Sequence, residues 1–422
     1  MSDYIYRLQS RLRPDQLQAL VQVQQAAERA HIHVFLAGGA VRDLMSGVPI
    51  GDLDFAVEAP ALKLVRQLDQ RLFTVTGTDE DRQLAEMRFG GATVEIAMCR
   101  REHHAKAGAR PQISPAGIQD DLRRRDFSVN AVALSLNPAS RGLLLDPTNG
   151  LADIERKELR AISNYSFHDD PSRLLRLVRL KARLKYAVED RTRVQFDAAL
   201  EAGVEEHISP RALLQELRQL ATEPDGADAV KALAAAGLVR LFEPHLGKKL
   251  DLPALSKLDK CRRVVESAAT GVDAFGPFLY CLTRKLSAAE RAGLRTRTGM
   301  KPSEANAWTG LEAHAKAVQK LLTGKQTALH SRLYRTLLAE DPAVALFLLG
   351  FSPLQPVRDR IKTYFTQLRP LAGSITDQEV EQTGVKRDSG KFAAARDAFV
   401  AARLDRKTPG KAEAAKAPAG HA

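Results

Sequence analysis

The hydrophobic pattern of the chain changes character near residue 165. Before that point, apolar or alternating runs bounded by glycine, proline or aspartate predict short strands at 33–36, 53–57, 93–98 and 132–136. Helical stretches lie between them, as at 14–30 and 61–71. After Phe167, apolar residues recur every three or four positions and predict helices at 171–186, 191–202, 210–221, 227–236, 333–349 and 357–368. The pattern therefore predicts an α+β head with a mixed sheet, followed by an all-α remainder.

A chain of 422 residues exceeds the usual size of one compact core, so several domains are expected. We predict an N-terminal helix at 1–30, a head at 31–165, a helical neck at 166–222 and a helical body and tail at 223–404. Residues 350–353 and the dipeptide Arg369-Pro370 are interpreted as connectors. Residues 405–422, rich in Ala, Lys, Pro and Gly, are predicted to be a disordered tail.

Composition narrows the class of partner and the compartment. Lysine and arginine exceed aspartate and glutamate by 63 to 51, which suits a polyanionic partner such as nucleic acid without separating RNA from DNA. Cys99, Cys261 and Cys281 are scattered, which argues against a disulfide scaffold or a structural zinc site. Neither a signal peptide nor a membrane-spanning run is visible, so we expect a cytoplasmic protein.

The segment with the strongest chemical character contains two glycines and two carboxylates. Gly38 and Gly39 end a strand before a helix that carries Arg42, so backbone N–H groups could face a phosphate. Asp52 and Asp54 lie two residues apart in a predicted strand, and their side chains should share one face, where they suit a pair of Mg²⁺ ions. The alternative is a solvated turn and a tight bend.

Weaker candidates surround this segment. Glu95 alternates with apolar neighbours and is a candidate third carboxylate for the metals, the alternative being a solvent-facing position on a strand. His103 and His104 fall in the polar stretch 100–117, which we interpret as a mobile loop with solvated histidines. The remaining histidines of the helical half, His207, His245, His314 and His330, are expected to be isolated, so no attached phosphohydrolase is predicted.

Four ordered segments resemble the class II tRNA nucleotidyltransferase and bacterial poly(A) polymerase family. They are GGAVRD at 38–43 with DLD at 52–54, RRDFSVNA at 124–131, DPTNGLADI at 146–154 and FHDDPSRLLRLVR at 167–179. Asp169 stands where the family usually has glutamate. A further family segment, SPRALLQEL at 209–217, lacks its usual Glu-Arg pair, for which Arg211 is a partial substitute. That segment is expected to brace the neck helix.

The resemblance implies a template-independent RNA nucleotidyltransferase that adds CMP and AMP from CTP and ATP to the 3′ end of tRNA. It implies that Asp52 and Asp54 hold two Mg²⁺ ions, and that Gly39 and Arg42 contact the triphosphate. The ribose would meet Arg125 and Asp126. The base edge would meet Asp170 and Arg173, with support from Arg176 and Arg179.

Helical geometry also predicts how the arginines of the predicted neck helix are arranged around its axis. At 100° per residue, Arg173, Arg176, Arg179 and Arg183 form a stripe roughly opposite Leu174, Leu175 and Val178. Asp170 and Arg173 are i,i+3 neighbours, so each can hold the other. A carboxylate that accepts from an exocyclic amine, beside a guanidinium that donates to a ring acceptor, could admit CTP and ATP. The alternative is a solvated basic face.

Several functions stay open at this point. Full CCA addition leads, followed by enzymes that add only CC or only A, and then by poly(A) polymerase. An RNA-binding protein with a catalytically inactive head represents a different class. An antibiotic or protein nucleotidyltransferase would not explain the neck segment. No DNA or membrane partner is expected.

Overall fold

The computed structural model describes residues 3–105, 108–109, 111–266 and 272–406. It divides into two compact units. The first contains the chain up to Leu217 together with Asp228–Pro244 and Arg297–Gly299. The second contains Arg218–Ala227, His245–Thr296 and the chain from Met300 onward.

The first unit is built on a seven-stranded mixed sheet with the strand order β3-β4-β5-β2-β1-β8-β9. Only β2 and β5 are parallel neighbours in it, and all other neighbouring pairs are antiparallel. Two short pairs, β6 with β7 and β10 with β11, lie outside this sheet. In chain order the strands are β1 (Val34–Ala37), β2 (Leu53–Val57), β3 (Phe73–Asp79), β4 (Leu84–Phe89), β5 (Ala92–Met98), β6 (Arg100–His103), β7 (Gln112–Pro115), β8 (Ala133–Ser135), β9 (Leu144–Leu145), β10 (Glu158–Leu159) and β11 (Ala187–Val188).

Helices cover the sheet because alternate strand residues bury one apolar face. Val94 and Ile96 of β5, for example, join Leu20 and Val23 of the second helix in one core cluster. A second cluster, around Phe127, Phe167 and Leu174, holds the neck helix in this unit. The helices are α1 (Asp3–Arg11), α2 (Pro14–Arg29), α3 (Gly39–Ser46), α4 (Ala61–Val65), α5 (Ile118–Arg123), α6 (Gly150–Arg156), α7 (Ser166–Asp169), α8 (Ser172–Leu184) and α9 (Asp190–Glu201).

The rest of the described chain is helical. Its apolar residues recur at helical spacing, and Phe278, Leu346 and Phe365 are among those buried. None of its described helices, nor any earlier one, is long and apolar enough to span a membrane. The helices are α10 (Pro210–Thr222), α11 (Gly226–Ala235), α12 (Leu252–Glu266), α13 (Phe275–Thr283), α14 (Ala288–Thr298), α15 (Pro302–Thr309), α16 (Leu311–Thr323), α17 (His330–Leu338), α18 (Pro342–Phe351), α19 (Gln355–Thr363), a π-helical turn at Tyr364–Leu368, α20 (Arg369–Gly373), α21 (Asp377–Glu381) and α22 (Phe392–Asp405).

The predicted fold class, a mixed-sheet head followed by helices, is confirmed. Two local predictions in the head region are wrong. The helix expected at 61–71 ends at Val65, and β3 and β4 follow it. The stretch 100–117 is not a loop, because β6 and β7 pair in it as an antiparallel ribbon.

Two predictions in the helical half are also wrong. The helix expected at 333–349 is interrupted, because α17 ends at Leu338 and Pro342 starts α18. Arg369-Pro370 begins α20, where proline is tolerated in the first turn. The tail expected from 405 onward lies outside the described residues apart from Asp405, which ends α22, and Arg406.

Candidate active site

Two aspartates stand at the start of strand β2. Asp54 lies within the strand and pairs with Glu95 of β5, its parallel neighbour. Asp52 directly precedes the strand, and its side chain is hydrogen-bonded to Thr93 of β5. Thr93 and Glu95 flank the buried Val94, so they share the face of β5 that points away from the core. The carboxylates of Asp52, Asp54 and Glu95 are therefore gathered on one face of the sheet.

Burial and neighbouring carboxylates disfavour the ionised forms of Asp54 and Glu95. Burial, followed by the charges of Glu95 and Asp52, raises the pKa of Asp54 well above its usual range, against the opposing charge of Arg125. Burial and the neighbouring Glu86 raise the pKa of Glu95. Desolvation by the surrounding groups also raises the pKa of Asp52, although the residue keeps an exposed surface. A cation would relieve this repulsion, and clustered carboxylate oxygens are the ligands that Mg²⁺ prefers, so the donor set fits a divalent metal.

The glycine pair lies directly beside these carboxylates. Gly38 has φ = 68° and ψ = −133°, a conformation open to glycine, and it precedes helix α3. A Cβ atom on Gly38 would lie 2.8 Å from a guanidinium nitrogen of Arg125 and 3.2 Å from Oδ2 of Asp54. On Gly39 it would lie 3.7 Å from the same Asp54 oxygen. The turn therefore brings bare backbone and the first N–H groups of α3 close to the carboxylates.

Arg42 of α3 is buried rather than exposed to solvent. Its guanidinium donates to Oδ1 of Asp43, at 2.7 and 2.9 Å, and to Oδ1 of Asn130 at 2.6 Å. The other oxygen of Asp43 accepts from Arg183 of helix α8 at 2.9 Å. The charge of Arg183 also lowers the pKa of Asp52 against the larger effect of burial. The arginine-bearing helix and the carboxylates thus belong to one electrostatic site.

Arg125 is held in place by the buried carboxylate of Asp121. Oδ2 of Asp121 accepts two hydrogen bonds from Arg125, and Oδ1 accepts from Arg124 at 2.6 and 3.0 Å. The backbone N–H of Arg100 also donates to Oδ1. Although burial opposes it, the charges of Arg125 and Arg124 lower the pKa of Asp121. The guanidinium of Arg125 is consequently fixed where it faces Gly38 and Asp54.

Both carboxylate oxygens of Asp126 are occupied. Oδ1 accepts from the backbone of Phe127 and from the side chain of Asn130, and Oδ2 accepts from Arg176 at 3.0 Å. Burial disfavours the charge, but Arg176 and Arg173 outweigh it and lower the pKa of Asp126 to about 2. Asp126 is therefore an ionised, hydrogen-bonded group that joins the head to helix α8.

Asp170 and Arg173 take different positions at the start of α8. Oδ1 of Asp170 accepts from the backbone and hydroxyl of Ser172, so it caps the helix. Oδ2 lies 3.9 Å from Nε of Arg173, which agrees with the expected i,i+3 neighbours. The guanidinium of Arg173 is buried and donates to the hydroxyl of Ser166 and to the carbonyl of Arg124. Arg173 thereby contacts the chain immediately before Arg125.

The remaining arginines of α8 are held by Glu216 of α10. Its carboxylate accepts from Arg179 at 2.9 Å and lies 3.4 Å from Nε of Arg176. Glu216 belongs to the altered family segment 209–217, so this segment does brace α8 in the structure. Arg211 is not part of the brace, because its guanidinium is 2.9 Å from Asp79 at the end of β3. The stripe of arginines is thus largely ion-paired.

Several residues of the site were missed by sequence reasoning. Asp121 precedes Arg124 and Arg125 by three and four positions, and this helical spacing could have indicated the contact. Glu86 pairs with Glu95 across β4 and β5, and the alternation of β4 could have revealed it. Asn130 lies inside a segment already singled out. Its contact with Arg42 spans 88 positions and leaves no local signal.

Three of the six histidines singled out in the sequence lie beside carboxylates, so two of those expected to be isolated, His245 and His314, are not. His314 lies 2.9 Å from Glu340, and His245 lies 3.4 Å from Glu290, which also binds Lys249. His104 lies 3.7 Å from Glu102. His245 and His314 thus have ion-pair geometry with carboxylates of the helical half, and His104 has it with a carboxylate of the β6–β7 ribbon.

Comparison with known proteins identifies sequences that are similar to this chain. Residues 34–160 match the Poly A polymerase head domain. The chain is 38% identical over 227 residues to an A-adding tRNA nucleotidyltransferase of Halalkalibacterium halodurans, covering 52% of each chain. It is 35% identical over 271 residues to a CC-adding tRNA nucleotidyltransferase of Deinococcus radiodurans, covering 63% of this chain and 66% of that one. Residues 34–160 thus match a poly(A) polymerase head domain, and the chain is similar to members of the class II tRNA nucleotidyltransferase and poly(A) polymerase family.

Other members of the family extend the comparison along the chain. An A-adding tRNA nucleotidyltransferase of Geobacter sulfurreducens is 26% identical over 368 residues, which is 85% of this chain and 42% of that protein. The chain therefore spans about two fifths to two thirds of the length of these three relatives. A solved CCA-adding enzyme has the same fold, with a TM-score of 0.52 and 24% identity over 98% of this chain and 97% of that one.

Proposed function

We propose that this chain is a member of that family, a template-independent tRNA nucleotidyltransferase that transfers CMP and AMP from CTP and ATP to an RNA 3′ end. The observation that carries the proposal is the row of Asp52, Asp54 and Glu95 facing Gly38 and the fixed guanidinium of Arg125. The names of the similar proteins support tRNA as the acceptor.

We assign Asp52 and Asp54 as the ligands of two Mg²⁺ ions, with Glu95 as a third carboxylate of the same site. When bound, such ions would supply positive charge that acidifies an attacking hydroxyl and neutralises a departing pyrophosphate. The raised pKa values of Asp54 and Glu95 support this assignment, since a bound cation would remove their mutual penalty. Gly38 and Gly39 would offer backbone N–H groups to the triphosphate. Arg42, which is hydrogen-bonded to Asp43 and Asn130, would help to hold that turn in place.

The reaction that fits this arrangement is an in-line displacement. The 3′-hydroxyl oxygen of the RNA forms a bond to the α-phosphorus, and the bond to the bridging oxygen of pyrophosphate breaks. The hydroxyl proton leaves to solvent, and no covalent enzyme intermediate forms. Arg125, fixed by Asp121, would orient the ribose and phosphate groups beside Asp54.

Nucleotide selection is assigned to the start of helix α8. Asp170 would accept a hydrogen bond from the exocyclic amine that cytosine and adenine share, and Arg173 would donate to the adjacent ring acceptor. Arg176, which also contacts Asp126, and Arg179 are both tied to Glu216 and would hold this face of the helix steady. Guanine and uracil reverse the donor and acceptor pattern, so the pair would disfavour them.

A second candidate is an enzyme that adds only the terminal A. The relatives from Geobacter and Halalkalibacterium are named A-adding, and the latter is 38% identical over its aligned region. The relative from Deinococcus is named CC-adding. We propose a cytoplasmic location for either activity.

One incorporation assay tests both candidates. Three tRNA transcripts, ending before the first C, before the second C and before the terminal A, are each offered CTP, ATP, GTP and UTP separately with Mg²⁺. Full CCA addition predicts that CTP extends the first two transcripts and ATP extends the third, whereas A addition predicts extension of the third with ATP alone. Asp54→Ala should abolish incorporation, and Asp190→Ala, which removes an exposed carboxylate of α9, should not. Incorporation by Asp54→Ala at the wild-type rate would reject the metal assignment.

A further inference from the structure

The segment that carries Asp52 is not fixed by the sheet. The pairing of β2 with β5 begins at Leu53, and its pairing with β1 reaches back only to Phe55. Asp52 therefore lies one residue outside the ladder with β5 and three residues outside the ladder with β1. Gly51, which precedes it, has no side chain, and a Cβ atom there would meet nothing within 4 Å. Thr93 of β5 is hydrogen-bonded to the side chain of Asp52, but the backbone that precedes Asp52 needs a contact of its own.

That contact comes from Gln16 in the first turn of helix α2. Its side-chain amide nitrogen donates to the carbonyl of Ile50 at 3.1 Å and to the carbonyl of Gly51 at 2.5 Å. These are the two carbonyl groups that directly precede Asp52. The side chain of Gln16 is almost completely buried, at 1% exposure, and Ile50 is buried as well, so water does not compete for the hydrogen bond between them. Gly51 is exposed, and its hydrogen bond to Gln16 is only partly shielded.

The amide of Gln16 is satisfied in one orientation only. Its oxygen accepts from the backbone N–H of Arg13 at 3.0 Å, which caps the start of α2. Rotating the amide by 180° would turn that oxygen toward two carbonyl oxygens and the nitrogen toward an N–H group. The helix cap and the loop contact therefore fix each other, and the charge of Arg13 also lowers the pKa of Asp52 against burial.

We infer that Gln16 is a positioning residue, which acts through the Ile50–Gly51 backbone to hold the carboxylate of Asp52 beside Asp54. The inference rests on the proposed function for the role of Asp52 as a metal ligand. Gln16 lies outside the region that matches the head-domain family, which begins at residue 34. Residues that orient a metal ligand from outside its coordination sphere typically change metal affinity or activity by about 10–100-fold when they are replaced.

The test compares Gln16→Met with Val23→Ala in the full chain. Gln16→Met keeps the length of the side chain and removes both donors. Val23→Ala removes buried apolar volume two turns further along α2 and serves as the control for stability alone. Gln16→Asn, which keeps the amide but withdraws it by one methylene group, provides a second variant if Gln16→Met does not fold.

Two readouts are independent of turnover. Amide hydrogen exchange of a peptide covering Ile50–Asp54 should become faster in Gln16→Met and stay unchanged in Val23→Ala. Mn²⁺ binding, measured by electron paramagnetic resonance as a stand-in for Mg²⁺, should weaken by about 10–100-fold in Gln16→Met alone. Unchanged exchange, or an Mn²⁺ affinity within twofold of wild type, would overturn the inference.

The design separates this inference from the proposed function. Wild-type chain that binds Mn²⁺ but adds no nucleotide to any tRNA transcript would reject the proposed function and leave the role of Gln16 intact. Normal nucleotide addition by the wild type, with unaltered exchange and metal affinity in Gln16→Met, would reject the positioning role and leave the proposed function intact.

Discussion

Replacing Gly38 with alanine should damage both the fold and the site. The new Cβ atom would lie 2.8 Å from a nitrogen of Arg125 and 3.2 Å from Oδ2 of Asp54, and the first distance is shorter than Cβ atoms adopt. The backbone at φ = 68° and ψ = −133° adds strain of about 1–3 kcal/mol. For a folding unit of 150–250 residues, that corresponds to roughly 2–12 °C in Tm.

Gly38→Ala should also lower the activity, because the new Cβ atom displaces groups of the site. Arg125 is tied to Asp121 and Asp54 is fixed in strand β2, so the clash is relieved by moving groups of the site. A misplacement of about 1 Å costs on the order of 10²-fold in rate, so we expect nucleotide incorporation to fall by about 10–100-fold.

Gly39→Ala is the matched control. Its Cβ atom would meet Arg42 at 3.6 Å and Asp54 at 3.7 Å, which are ordinary contacts, and no positive φ is involved. Thermal unfolding should stay within about 0.5 kcal/mol of wild type, while the KM for nucleotide should rise if the triphosphate approaches this turn. The reasoning is refuted if Gly38→Ala unfolds and incorporates nucleotide like the wild type, or if the two variants lose the same stability.

Three further predictions concern buried charges. Glu216→Ala removes the carboxylate that pairs with the buried Arg179 and should lower the free energy of unfolding by about 3–5 kcal/mol, measured by urea denaturation, with a smaller loss for Glu216→Gln. Asp54→Asn should raise the Tm in EDTA at pH 7 and lower incorporation on the order of 10³-fold. Because the pKa of Asp54 is raised in the fold, its ionisation removes stability as the pH rises above the unfolded value near 4, so the Tm gain should vanish at pH 4. The pKa of Asp126 is about 2 and thus lowered, so its contribution of about 2 kcal/mol is present above pH 5 and disappears toward pH 2. Asp126→Asn should therefore be less stable than wild type at pH 6 and equally stable near pH 2, and a gap that persists at pH 2 would contradict this.

Local sequence patterns predicted those strands and helices whose apolar residues follow a regular spacing. Strand alternation identified β2 and β5, and helical spacing identified α8 with its line of arginines. Strand β3 was missed because its residues are mostly exposed and include Gly77, so it lacks the apolar alternation of a half-buried strand. The partners of the arginines could not be read from the sequence, because Arg211 meets Asp79 across 132 positions and Arg176 meets Asp126 across 50.

Whether a charged side chain is buried could not be predicted from the sequence either. Arg42 was expected to face a ligand, but the structure encloses it between Asp43 and Asn130. Its role in binding triphosphate stays a prediction. An arginine beside glycines has the same local pattern whether its charge is met by a substrate or by the protein, so only the tertiary structure separates the two.

The parallel register of β2 and β5 makes the chemistry depend on the core. Val94 and Ile96 of β5 are buried on one side, while Glu95 points to the other, opposite Asp54. A shift of β5 by one residue would send Glu95 into the apolar interior and bring a hydrocarbon side chain next to Asp54. The hydrophobic residues of β5 thus determine where its carboxylate stands, although none of them touches a ligand. Substitutions on either face of this strand should consequently affect the proposed metal site.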